Sequence, residues 1–173
     1  MGHGPFCTGF SPLVSAKLAS LMSIHESKQW KNLSRDHLFW MALLAGPGVW
    51  LILYFWFPTS PKQNDSLGPW WTLLLLAGLY PLLEEWLFRG LLQPQLLTYR
   101  PLRTRLLGLS NANLLTSLLF AAAHLFVQSP LWAAAVIVPS LIFGAFRDRY
   151  QSVVPAIILH SFYNLGYFLT CCF

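Results

Sequence analysis

The stretch Tyr80–Gln93, Tyr-Pro-Leu-Leu-Glu-Glu-Trp-Leu-Phe-Arg-Gly-Leu-Leu-Gln, constrains this chain more than any other. It sets two adjacent carboxylates and an arginine inside an apolar run that begins at Trp70 and is long enough to cross a bilayer. A charge at the bilayer centre costs at least ~2.5–3.5 kcal/mol on insertion scales. Glu84, Glu85 and Arg89 therefore need a reason to be there. Glu85 and Arg89 are four residues apart, so a helix puts them on one face with the acid ahead of the base, where they can neutralise each other. Glu84 points about 100° away and is left for another task. Pro81, one turn earlier, withholds a backbone donor from the carbonyl of Ala77 and predicts a kink ahead of the carboxylates.

Composition sets the environment. The chain is 55% hydrophobic and 10% charged, against about 25% charged in soluble domains. This reads as an all-α, polytopic membrane helical bundle. The net charge of +5 does not imply nucleic acid, because the basic residues flank apolar spans. Cys7, Cys171 and Cys172 are too few and too terminal for a disulfide framework or a zinc knuckle.

Two regions are expected. Residues 1–36 form a basic segment, with a weakly amphipathic stretch from Ser11 to about Gln29 that suits an anionic membrane surface or a loose tail. Residues 37–173 form one transmembrane bundle of about five spans: 37–57, 70–97, 111–127, 131–146 with a break at Pro139, and 153–173. Arg100, Arg103 and Arg105 follow the second span, and Arg147-Asp148-Arg149 closes the fourth. With the basic N-terminal segment, these stretches hold all the Lys and Arg except Arg89 and Lys62. In a five-span chain they fall on one side, which predicts a cytoplasmic N-terminus.

Of six acidic residues, Glu26, Asp36, Asp65 and Asp148 fall in loops or flanks, leaving Glu84 and Glu85 within the spans. His124 and His160 are the two histidines within spans. At ~1.5 Å per residue, Glu84, His124 and His160 all come roughly 12–21 Å from a membrane face. Phe120 lies one turn before His124, and Asn164 one turn after His160. A carboxylate can take a proton from water and return it to a leaving amine. One imidazole can hold that water, and a second imidazole with an amide can donate to an oxyanion. The set suits amide hydrolysis in a membrane cavity. Taken singly, Asn164 reads as an interhelical hydrogen bond, Phe120 as packing, and Arg89 as the structural partner of Glu85. Two rivals stand beside hydrolysis: a zinc site built from the two histidines and a glutamate, and a proton relay in a carrier.

Glu84-Glu85-x-x-x-Arg89, Phe120-x-x-x-His124 and His160-x-x-x-Asn164, in this order, resemble the CPBP family of CAAX prenyl proteases and bacteriocin-processing or immunity proteins. The resemblance covers about residues 70–170. It implies a glutamic intramembrane endopeptidase with a four-helix catalytic core and neither a catalytic metal nor another cofactor. Carried over by position, Glu84 is the general base, His124 helps it activate water, and His160 and Asn164 form the oxyanion site. Glu85 and Arg89 orient these groups. The short chain points to a small prokaryotic member, multi-pass in the inner membrane. Its partners would be the bilayer and a membrane-anchored protein or peptide, such as a C-terminal sorting tail. A non-catalytic immunity or scaffold protein is the alternative within the same family.

Overall fold

A computed structural model describes residues 32–56 and 68–171. The surface-helix expectation for 11–29, the loop carrying Lys62, Cys7, Cys172 and the side chain of Cys171 lie outside the described residues. Contacts divide the chain after Asp36, and the bundle that begins at His37 is the unit that carries the candidate site.

Among the described residues, six helices make the bundle. They are α1 (His37–Trp56), α2 (Pro69–Leu96), α3 (Asn111–His124), α4 (Pro130–Ala135), α5 (Ile137–Tyr150) and α6 (Val154–Cys171). Three segments, His37–Phe55, Pro69–Leu96 and the α4–α5 rod Pro130–Tyr150, are long and apolar enough to cross a membrane. Their outer faces are apolar, with Leu44, Phe55 and Trp70 at 69–79% exposure. The interior combines apolar packing, such as Phe120, Phe143 and Leu159, with a buried polar set: Glu85, Arg89, Gln93, Asn113, Thr116, Ser117 and Ser140 are fully buried. An apolar exterior with polar groups kept inside is the distribution that hydrocarbon selects.

The fourth rod breaks at Val136, not at Pro139 as its composition suggests. Pro139 falls in the first turn of α5, where a missing N–H has no intrahelical partner to lose. The basic stretch after α2 is more ordered than a loop. A 3₁₀ turn, Arg100–Arg103, leads into a two-residue hairpin pairing Arg105–Leu106 with Leu109–Ser110. Leu107 and Gly108 form its turn with φ of 53° and 85°, the left-handed pair that closes a tight hairpin. Ser110 then caps α3, its Oγ accepting from the Asn113 N–H at 3.0 Å.

The expected kink before the carboxylates takes another form. Helix α2 runs unbroken from Pro69 to Leu96 but widens into π-helical turns at Leu74–Leu79 and again at Trp86–Leu92. Each segment stops just short of a proline, Pro81 or Pro94. The backbone N–H of Tyr80 reaches Leu75 and that of Gln93 reaches Phe88, five residues back. In that register the donors missing at Pro81 and Pro94 free the carbonyls of Leu76 and Arg89, where an α register would free Ala77. Both freed carbonyls are taken by side chains from other helices. Asn164 Nδ2 donates to Leu76 at 2.9 Å, and Arg147 Nε donates to Arg89 at 3.0 Å.

Helix α6 is the element against which the others are set. It packs on α1, on α5 and on the first half of α2. A Cβ at Gly166 would sit 1.8 Å from the Trp50 ring, so only glycine admits this approach of α1. Tyr163 Oη donates to the Ala42 carbonyl at 2.5 Å, and Phe39 of α1 meets Phe146 edge-on at 5.7 Å.

Candidate active site

The site forms where the middle of α2 meets α3, α5 and α6. Glu85 is fully buried and bonds Arg89 Nη1 at 2.9 Å, one helical turn on. The sequence spacing anticipates this pair. It leaves open where the rest of the guanidinium goes. Arg89 Nη2 donates to Ser140 of α5, to its carbonyl at 3.0 Å and its Oγ at 2.5 Å. The guanidinium also lies over the ring of Phe120, 4.6 Å from its centroid. Arg89 is thus a crosslink among three helices as well as a counter-charge.

His160 joins the two carboxylates. Its Nδ1 lies 2.8 Å from Glu85 Oε1, and its Nε2 lies 3.7 Å from Glu84 Oε2. A carboxylate only accepts, so Nδ1 carries the proton in that first contact. The Nε2 edge is left toward Glu84, at ion-pair range and too long for a direct hydrogen bond. His124 is fixed by the same logic. Its Nδ1 lies 2.9 Å from the Phe120 carbonyl, also an obligate acceptor, so its Nε2 is the free edge. Both imidazoles lie within electrostatic reach of Glu84.

The two carboxylates differ in access. The Glu84 side chain is 34% exposed, while Glu85 is sealed. Phe120 forms the wall between the histidines, with its ring 4.5 Å from His124, 5.8 Å from His160 and 5.1 Å from Phe88. Phe143 of α5 stacks on His160 at 5.1 Å and 21°. Asn164 lies one turn along α6 from His160, but its amide is anchored on Leu76. Among the described residues, no three His, Cys, Asp or Glu side chains are grouped closely enough to hold a metal ion.

Below the site a polar column runs to the arginine-rich end. Gln93 Nε2 donates to the Gly144 carbonyl at 3.0 Å and to Asp148 Oδ1 at 2.7 Å, and Ser110 Oγ donates to Asp148 Oδ2. Asp148 is therefore buried between helices, and its expected place in a loop is wrong. Two arginines beside it gave it the look of a flank, whereas α5 continues past it to Tyr150. Asn113 Nδ2 reaches the Leu141 carbonyl at 2.9 Å, and a Cβ at Gly144 would collide with Asn113 Oδ1. Ser140, Phe143 and Gln93 are the residues that sequence reasoning missed. Gln93 carried one signal, polarity at i, i+4 spacing from Arg89; Ser140 and Phe143 carried none.

Comparison with protein families finds one that matches residues 66–166, described as type II CAAX prenyl endopeptidase Rce1-like. Comparisons with curated proteins and with solved structures gave no match.

Proposed function

The chain belongs to the Rce1-like family of type II CAAX prenyl endopeptidases, and on that footing we propose that it hydrolyses a peptide bond in a membrane-anchored protein or peptide, using water activated by Glu84. The observation that carries this reading is the pair of unlike carboxylates bridged by one imidazole. Glu84 is open enough to meet water; Glu85 is sealed, paired with Arg89 and bonded to His160.

Glu84 takes a proton from water, with His124 holding that water through its free Nε2 edge. The resulting hydroxide adds to the scissile carbonyl carbon. His160 in its imidazolium form donates from both nitrogens, Nδ1–H to Glu85 and Nε2–H to the oxyanion that forms, and the second amide hydrogen of Asn164 assists. In that state Glu84 is protonated, so Glu85, Arg89, His160 and the oxyanion together carry no net charge, which suits a low-dielectric interior. The tetrahedral adduct collapses, the C–N bond breaks, and the proton held by Glu84 passes to the leaving nitrogen. The products are one carboxyl and one amine terminus. We place the protein in the cell membrane as a multi-pass bundle, with the arginine-rich end of α2 and α5 on the cytoplasmic side.

The test is a cleavage assay in proteoliposomes with C-terminal sorting-tail peptides and prenylated CAAX peptides, with and without chelator, beside Glu84→Gln. Cleavage that persists in chelator and disappears in Glu84→Gln is expected, and the peptide cut names the substrate class. Chelator-sensitive cleavage would transfer the chemistry to a metal. No cleavage of any peptide would favour a scaffold or immunity role.

A further inference from the structure

Two prolines in α2 share one arrangement that the hydrolytic scheme above does not use. Each follows a π-helical segment, each frees the carbonyl five residues earlier, and each freed carbonyl meets a side-chain donor from another helix. A buried carbonyl without a donor is costly, so these contacts are required by the backbone they cap. The first of them involves Asn164. An amide nitrogen has two hydrogens; with one on Leu76, the plane of the group is fixed and the direction of the second hydrogen is set. His160 and Asn164 lie one turn apart on α6. Their partners, Glu84 and Glu85 on one side and Leu76 on the other, lie eight to nine residues apart on antiparallel α2. The π segment Leu74–Leu79 contains the Leu76 contact and ends ahead of the carboxylates, so its register sets the phase at which they meet His160.

We propose that Pro81 is a positioning residue: by withholding its N–H it keeps the Leu76 carbonyl open as the docking point that orients the Asn164 amide beside His160. Its effect on rate rests on the hydrolytic reading above, whereas its effect on structure does not. With alanine at 81, the restored N–H would fill the Leu76 carbonyl itself, and the Asn164 amide would lose its anchor. Pro81 is fully buried, so Pro81→Ala also removes packing; that loss appears in both backgrounds of a double-mutant cycle and cancels.

The experiment is that cycle, Pro81→Ala against Asn164→Leu, read in two ways on the full chain in detergent micelles. Thermal melting is expected to show coupling: Asn164→Leu lowers the midpoint by about 2–4 °C when Pro81 is present and by much less when alanine stands at 81. Kinetics on a cleaved peptide are expected to show kcat falling about tenfold in Pro81→Ala with KM unchanged, and no further fall in the double variant beyond that of Asn164→Leu alone. Additive melting effects would overturn the proposal. So would a Pro81→Ala enzyme with normal kcat, or an Asn164→Leu chain that fails to fold and is not recovered by Pro81→Ala. If no peptide is cleaved, the hydrolytic reading fails while the melting cycle still decides whether Pro81 governs the Leu76–Asn164 contact.

Discussion

Glu84 and Glu85 are neighbours that stand to lose different things. Replacing Glu85 by Gln leaves Arg89 as an uncompensated buried cation, and the expected cost is about 3–5 kcal/mol. That should appear as a large drop in melting temperature in micelles. Glu84→Gln should melt close to the parent chain and lose cleavage. A Glu85→Gln chain of unchanged stability would show that Arg89 finds its charge balance elsewhere. Much of this was legible in the sequence, because spacing of four inside an apolar run fixes a helical pair without knowledge of any other element. Ser140 and Phe143 were not legible. An uncharged side chain in an apolar span creates no conflict for a sequence to resolve, so nothing marks it until a neighbouring helix arrives. Asp148 misled for the converse reason: flanking arginines mimic a loop, and only its partners Gln93 and Ser110 show it to be interior.

Among elements, the contacts of helices are fixed by where backbones approach. A Cβ at Gly144 would lie 1.9 Å from Asn113 Oδ1, whereas one at Gly48 would meet nothing within 4 Å. Gly144→Ala should therefore destabilise the chain by about 1–3 kcal/mol through forced separation of α3 and α5. Gly48→Ala should be neutral or stabilise by roughly 0.5–1 kcal/mol, since alanine suits a helix interior better. Thermal melting of the two variants side by side checks the contrast. The all-helical bundle was visible as apolar runs; of the five spans expected, three among the described residues are long and apolar enough to cross a membrane. The π segments were not visible. A change of register depends on which carbonyls find outside donors, and those donors, Asn164 and Arg147, are 88 and 58 residues away in the chain.

For the whole molecule, the arginine-bearing ends of α2 and α5 meet at one pole, joined through Ser110 and Asp148. Part of that charge is already in use: Arg103 donates to the carbonyls of Leu97 and Thr98 and so closes α2. Leu107 stands at this pole, 95% exposed. With the native cysteines replaced by serine, Leu107→Cys should react with a membrane-impermeant maleimide in inside-out vesicles and not in intact cells. The reverse pattern would turn the bundle over in the membrane. The remaining helix, α1, ends before the stretch that matches the family begins. Phe39, Ala42, Gly46 and Trp50 are among the residues through which it meets the others. Its exposed side, with Leu44, Leu51 and Phe55, can take other apolar residues at little cost, whereas Phe39 and Trp50 are held by the helices they touch.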